Sequence, residues 1–162
     1  MSVRKLTLLS MLLAMSVLGA NIKILGSVAL DSFPAFLGSL ILGPLPGALL
    51  GALGHFISAL LAGFPLTLPV HILVTALMAV TMFIYGKIRE VSTCFKKQTI
   101  TISWIAAYFS SVLLDLLLLY PLIHETVFIL FVPLTIATVI NLFITEVVYK
   151  LIPNEIKKLT LR

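Results

Sequence analysis

The stretch "FLGSLILGPLPGALLGALGHFISALLAGFP", residues 36–65, decides the fold of this chain. It contains no Lys, Arg, Asp or Glu, so none of its side chains requires water because of a full charge. Its central "GPLPG", residues 43–47, consists of residues that interrupt helices and form turns. Two apolar helices joined by a tight turn are therefore predicted, and apolar helices without charges are typical of a lipid bilayer.

The composition of the whole chain predicts the same class of protein. Of its 162 residues 60 % are hydrophobic and 10 % are charged, and the mean hydropathy is +1.20. This leaves too little polar surface to cover a water-soluble globule. The net charge of +5 does not indicate nucleic-acid binding, because the basic residues flank apolar runs and form no patch with interleaved aromatics. The sequence predicts an all-α integral membrane protein.

A compact bundle of six spanning helices is predicted, in a single membrane domain of residues 1–162. A spanning helix needs about 17 to 25 mostly apolar residues. The second and third spans are short and rich in glycine and proline, which leaves a re-entrant hairpin as the alternative. The first span resembles a signal peptide, but the spans that follow at once favour its retention. The predicted spans are about 6–22, 28–42, 48–61, 69–85, 100–120 and 127–149.

Lysines and arginines set the predicted orientation. If the chain crosses the membrane six times, ten of them lie on the side of the two termini and Lys23 alone lies opposite. Because cytoplasmic loops carry the excess of basic residues, both termini are predicted to be cytoplasmic. We expect a multi-pass protein of a bacterial plasma membrane. The ten residues are Arg4, Lys5, Lys87, Arg89, Lys96, Lys97, Lys150, Lys157, Lys158 and Arg162.

No enzyme motif is present in the sequence. There is no HExxH, GxSxG, P-loop or Gly-rich dinucleotide motif. The histidines, His55, His71 and His124, lack the spacing of zinc ligands. The single cysteine, Cys94, excludes an internal disulfide and a thiolate cluster. No catalytic residue, metal or cofactor is therefore expected.

Polar and aromatic residues collect instead at the predicted outer ends of the helices. Apolar walls with a few convergent polar groups are the usual make-up of a small-molecule pocket, here one open to the outside. The candidate substrate-binding residues are Asn21, Lys23, Asp31, Phe33, Phe64, His71, Asp115 and Tyr120.

Several of these residues have a structural explanation as well. Lys23 is equally explained by snorkelling to the interface, Asp31 by capping the second helix or pairing with Lys23, and Tyr120 by an interfacial aromatic belt. For His71 the two explanations are evenly balanced. Asp115 favours a functional or pairing role, because a carboxylate inside a run of leucines is costly unless it faces a partner or a wet cavity.

Three further polar residues are interpreted as structural. His55 and Asn141 are expected near the middle of the membrane, where they would form hydrogen bonds between helices. Glu146 precedes Lys150 by four residues, which predicts an ordinary ion pair on one helix.

Small residues at four-residue spacing form two faces that allow helices to approach closely. In the third span Gly47 and Gly51 are predicted to pack inside the protein. In the first span Ser10 and Ala14 form a small-xxx-small pair, which we interpret as a docking surface for an external partner.

The chain resembles the substrate-binding membrane subunits, or S components, of energy-coupling factor (ECF) vitamin transporters. The resemblance covers essentially the whole chain, including the six-span layout and the basic loop after the fourth helix. Its most specific part is "LGPLPGA", residues 42–48, which is similar to the family's LGP-x-x-GA turn between the second and third helices. Ser10 and Ala14 resemble the family's AxxxA docking motif, with Ser in place of the first Ala.

The resemblance implies a mechanism of transport. Such subunits bind a water-soluble vitamin or precursor from outside and topple in the membrane while docking on a transmembrane coupling protein, the T component. Two cytoplasmic ATPases drive release inside, so ATP hydrolysis is expected from partners. A small structural or assembly subunit without a ligand is the alternative function.

The substrate type is suggested by the same resemblance. The segments 19–24, 26–36 and 53–71 look most like members of the α-ribazole type, associated with salvage of cobalamin precursors, although other vitamins fit similar groups. For a nucleoside-like ligand, Asp31 or Asp115 would accept hydrogen bonds from ribose hydroxyls. Phe33 or Phe64 would stack on the base.

Overall fold

The chain forms a bundle of helices with one short β-hairpin. The computed structural model describes residues 2–21, 23–24, 28–29, 31–91 and 96–157. The predicted end of the first span at residue 22 and Cys94 lie outside these ranges. The elements are α1 (Val3–Ala20), β1 (Lys23–Ile24), β2 (Val28–Ala29), α2 (Phe33–Ile41), α3 (Pro44–Leu61), α4 (Leu68–Val91), α5 (Lys96–Tyr108), a π-helical segment (Phe109–Leu114), α6 (Asp115–Ile123), α7 (Thr126–Leu151) and α8 (Asn154–Lys157).

Within the described ranges, five stretches of helix are long and apolar enough to cross a bilayer. Each has at least 18 residues, which corresponds to about 27 Å at 1.5 Å per residue. Helices α5 and α6 and the π-helical segment between them form one of these stretches without a break. The chain is a multi-pass helical membrane protein. The five stretches are 3–20, 44–61, 68–91, 98–123 and 126–151.

The second predicted span differs from the expected full helix. Helix α2 has nine residues, about 14 Å, which is half of a hydrocarbon core. It is preceded by the antiparallel pair β1–β2, in which Lys23 lies opposite Ala29 and Ile24 opposite Val28. Irregular backbone at membrane depth is tolerated only where protein covers it or where it lines a cavity. Of the six predicted spans, two of which are expected to be short, five are long enough to cross a bilayer among the described residues and the second is a half-length helix.

Helix α2 lies at the centre of the bundle, where α1, α3, α4 and α7 pack around it. Every residue from Pro34 to Ile41 is buried. The ring of Phe36 meets that of Tyr85 edge-on, with the centroids 5.0 Å apart. A short helix that is apolar on all sides is stable here because its neighbours, and not lipid, surround it.

Glycines allow α3 to approach its neighbours closely, which confirms the predicted internal packing of Gly47 and Gly51. A Cβ on Gly47 would lie 2.7 Å from Cα of Ser39 in α2. A Cβ on Gly51 would lie 2.7 Å from Cγ of Met82 in α4. Gly43, in the turn before α3, has a φ of 104°, a backbone conformation that favours glycine.

The predicted pairing of Glu146 with Lys150 is wrong. Glu146 lies on the buried face of α7 and accepts a hydrogen bond from Arg89 of α4 at 2.6 Å. The hydroxyl of Tyr85 donates to the same carboxylate at 3.0 Å, and the indole N–H of Trp104 lies 3.4 Å from it. The spacing of four residues fits a helix pair, but the rotation of α7 turns Glu146 towards α4 and leaves Lys150 exposed.

Candidate functional site

Two adjoining chambers lie inside the bundle. The first has a volume of about 160 Å³ and is bordered by the start of α2, and the second has a volume of about 150 Å³ and extends towards the start of α4. Both are walled mainly by apolar side chains. The residues that line both chambers are His55, Val74, Asp115, Leu134 and Ala137.

Asp115 lies where the two chambers meet. Its side chain is 2 % exposed, and its Oδ1 atom is buried without a hydrogen-bond partner. A buried carboxylate oxygen without a partner is costly in an environment of low dielectric constant. Asp115 borders both chambers, and its functional or pairing role stays a prediction.

The π-helical segment orients Asp115. A π-helix adds a residue to a helical turn and changes which side chains face the interior. In this segment the hydroxyls of Ser110 and Ser111 donate to the carbonyls of Ala106 and Ala107, at 2.9 and 2.7 Å. These bonds satisfy carbonyls near the irregular turn. Ser111 and Asp115 consequently line the first chamber together.

The start of α2 brings Asp31 and Ser32 to the first chamber. The Ser32 hydroxyl donates to the Asp31 carboxylate at 2.9 Å, and the Ser16 hydroxyl of α1 donates to the Asp31 carbonyl. The interpretation of Asp31 as the helix cap is wrong. The backbone N–H of Phe33 donates to Oδ1 of Asn141 in α7 at 2.8 Å, so a residue distant in sequence caps α2.

A pair of histidines borders the chambers on the α3–α4 side. Nδ1 of His71 lies 3.3 Å from Nε2 of His55, so one ring donates a proton to the other. His55 lines both chambers and His71 the second, where Nε2 of His71 is buried without a partner. The ring of Phe64 packs on His71 with the centroids 5.7 Å apart. Within the described residues, no three His, Cys, Asp or Glu side chains converge to hold a metal ion.

The structure brings only part of the predicted site together. Asp31, His71 and Asp115 line the chambers, and Phe64 contacts His71. The other candidates are absent from the described lining. They are Asn21, whose amide donates to the Val17 carbonyl at 3.0 Å; Phe33, held by its backbone; and Tyr120, 48 % exposed beside His124. The side chain of Lys23 lies outside the described part of the chain.

Sequence reasoning missed several lining residues. His55 and Asn141 do form bonds between helices, as predicted, but they also border the cavity, as do Ser111 and Thr138. Their signal in the sequence is weak. Ser111 precedes Asp115 by four residues, which places two polar groups on one face of a helix in the half of the span that is richest in leucine.

Comparison with known families identifies the chain. The sequence model described as "ECF transporter, substrate-specific component" matches residues 4–158, which is nearly the full length. The chain belongs to this family. As an S component it is a substrate-binding subunit of a transporter and not a catalytic enzyme. The family implies a small-molecule substrate, a T component and ATPases as partners.

No curated protein and no solved structure matches the chain. The ligand of this S component therefore has to be argued from its own cavity. Ser10 and Ala14 are both exposed on α1, so this pair is not covered by the described part of the bundle. Such exposure is what a docking surface requires.

Proposed function

We propose that this S component binds a water-soluble vitamin or vitamin precursor in the two adjoining chambers, with α-ribazole or a related cobalamin precursor as the first ligand to test. The unpartnered Oδ1 of Asp115, buried where the chambers meet, carries the proposal. A ligand that donates a hydrogen bond to this oxygen removes the cost of burying it alone.

The size and walls of the cavity support a ligand of this kind. Small-molecule sites usually have volumes of about 300 Å³ or more, so neither chamber alone would enclose a vitamin. A ligand that occupies both would pass Asp115 at the junction. Apolar walls from Phe36, Val74 and Leu134 suit a flat heteroaromatic ring, and the polar groups fix its orientation.

For a nucleoside-like ligand, ribose hydroxyls would donate to Asp115 and Asp31. Both carboxylates border the first chamber, which supports this assignment. The proposed stacking partner is Phe64, beside His71 at the second chamber, and Phe36 is a further candidate. Phe33 is the weaker candidate, because it is absent from the described lining.

The proposed transport route follows the predicted topology. Both termini are placed in the cytoplasm of a bacterial cell, and the ligand enters the cavity from outside. The S component then docks through the exposed face of Ser10 and Ala14 on a T component carrying two cytoplasmic ATPases. The partners, and not this chain, hydrolyse ATP.

The test is mass spectrometry of what co-purifies. We expect the gently solubilised full-length protein to carry one vitamin-like molecule at near-stoichiometric level. Protein stripped of its ligand should regain thermal stability when α-ribazole is added, because a ligand that binds only the folded state stabilises it.

The alternative, a structural subunit without a ligand, makes the opposite prediction. Protein that is always empty, and whose melting temperature does not change with any vitamin in a broad panel, would contradict the proposed function. Stabilisation by a vitamin other than α-ribazole would leave the transport function in place and replace only the substrate.

A further inference from the structure

At the end of α2 that borders the first chamber, each backbone N–H group of the first turn already has a hydrogen-bond acceptor. A helix N-terminus usually attracts anions through its free N–H groups. Here the N–H of Phe33 donates to Asn141, Pro34 has no N–H, and the N–H groups of Ala35 and Phe36 both donate to the Ser32 carbonyl at 3.1 Å. Every N–H of this first turn is accounted for.

The hydroxyl and amide donors around the first chamber are also engaged. The Ser32 hydroxyl donates to Asp31, and the Ser111 hydroxyl donates to the Ala107 carbonyl. An amide hydrogen of Asn141 donates to the Ala137 carbonyl at 2.8 Å. Apart from the ring N–H that the His55–His71 pair does not use between its two members, the lining therefore offers a ligand mainly hydrogen-bond acceptors.

The charged residue types of the lining also offer little to an anionic ligand. Asp31 and Asp115 are its carboxylates, and no Lys or Arg lines either chamber in the part of the chain that the structure describes. A carboxylate or phosphate brought next to Asp115 would lose its hydration and would meet no cation of the described lining to compensate that loss.

We propose that the cavity selects ligands without negative charge whose donor group, a hydroxyl, an amine or a protonated ring nitrogen, is received by Asp115. This inference rests on the proposed function, since it assigns a substrate class to the same cavity. It predicts that vitamins bearing a carboxylate or phosphate are excluded from this S component. Uncharged or cationic heteroaromatic vitamins and nucleosides belong to the accepted class.

The experiment compares pairs of compounds that share a scaffold and differ in charge. Binding to ligand-free, full-length protein in nanodiscs is measured by calorimetry for α-ribazole and its 5′-phosphate, thiamine and thiamine monophosphate, pyridoxine and pyridoxal 5′-phosphate, and nicotinamide and nicotinate. For the scaffold that binds, we expect the member without the anionic group to bind at least tenfold more tightly than its partner.

Two variants connect this preference to Asp115. Asp115→Asn keeps the shape of the side chain and replaces one oxygen of the carboxyl group with an amide nitrogen that donates hydrogen bonds. It should weaken binding of the preferred compound at least tenfold. The affinity ratio between this compound and its anionic partner should also become smaller. Glu125→Gln replaces an exposed carboxylate that lines neither chamber, and it should change neither the affinity nor the affinity ratio. Unchanged melting temperatures and elution volumes without ligand would show that both variants fold.

The outcomes separate this inference from the proposed function. Equal or tighter binding of the phosphorylated or carboxylated member overturns the inference and leaves the transport function standing. If the folded Asp115→Asn protein shows the same affinity ratio within a pair as the unsubstituted protein, the assignment of the preference to Asp115 is also overturned. If no compound of any pair binds and the purified protein carries no vitamin either, both the inference and the proposed function are contradicted, whereas a co-purified vitamin that bears a carboxylate or phosphate overturns the inference alone.

Discussion

Two buried acids in this bundle have opposite surroundings. Glu146 is surrounded by donors, with Arg89 at 2.6 Å and the Tyr85 hydroxyl at 3.0 Å. Asp115 is at least as buried, yet one of its oxygens has no partner. The first is the arrangement of a group that holds helices together, and the second is the arrangement expected of a group that receives a ligand.

This contrast predicts how the Glu146→Ala variant behaves. It leaves the Arg89 guanidinium, whose side chain is 12 % exposed, without its carboxylate. Breaking a buried ion pair from one side typically costs about 3 kcal/mol or more, so we expect a clearly lower melting temperature in detergent or nanodiscs.

Glu90→Ala is the matched control for this variant. Its pair with Lys87 lies on the surface, where both side chains are about half exposed, and such pairs contribute about 0–1 kcal/mol. Equal destabilisation by the two substitutions would show that Glu146 has no special structural role.

At the scale of elements, helix α2 is the least typical part of the fold. It is too short to span a bilayer, and the residue that caps it comes from α7. Its close contact with α3 depends on glycine. Ser39 of α2, whose hydroxyl donates to the Ala35 and Met82 carbonyls at 3.0 and 3.1 Å, occupies the space that a side chain at Gly47 would need.

Gly47→Ala should therefore destabilise the protein, although alanine is the better helix former by about 1 kcal/mol. The added methyl would lie 2.7 Å from the backbone of Ser39, and overpacking of this kind costs about 1–3 kcal/mol. The measurement is the midpoint of thermal unfolding without ligand. Leu49→Ala, on the exposed face of the same helix, should shift it much less. An unchanged or higher midpoint for Gly47→Ala would contradict the close α2–α3 packing.

The π-helical segment shows why the orientation of a span is hard to predict. A regular helix from 98 to 123 would preserve the periodicity visible in the sequence. The extra residue at 109–114 rotates everything that follows relative to what precedes it. The side to which Asp115 points thus depends on an irregularity that the hydropathy of residues 98–123 does not reveal.

At the scale of the whole molecule, the exposed face of α1 predicts that a substitution there stops transport without weakening ligand binding. Ala14→Leu places a large side chain on the proposed docking surface, at an exposed position that lines neither chamber. We expect ligand affinity to stay unchanged while uptake by cells containing the T component and ATPases is lost. Uptake is measured with the labelled vitamin that co-purifies with the protein.

Val132→Leu is the control for this experiment. It enlarges a side chain that is 58 % exposed on α7, on a face with no proposed partner. It should leave both binding and uptake intact. Normal uptake in Ala14→Leu cells would show that the docking surface lies elsewhere.

The membrane class, the approximate helix positions and the turn at 43–47 could all be derived from the sequence, because hydropathy and the backbone preferences of glycine and proline act locally. The prediction of a role for Asp115 also rests on local sequence, since a carboxylate within leucines is anomalous wherever the helix points. Only the tertiary structure decided which polar groups meet. Asn141 accepts a hydrogen bond from the first residue of a helix 108 positions away in sequence. His55 of α3 forms a hydrogen bond with His71 of α4, and Glu146 pairs with Arg89 of α4 and not with Lys150 of its own helix. These contacts depend on helix rotation and on the depth at which α2 begins, and both are set by packing between segments distant in sequence.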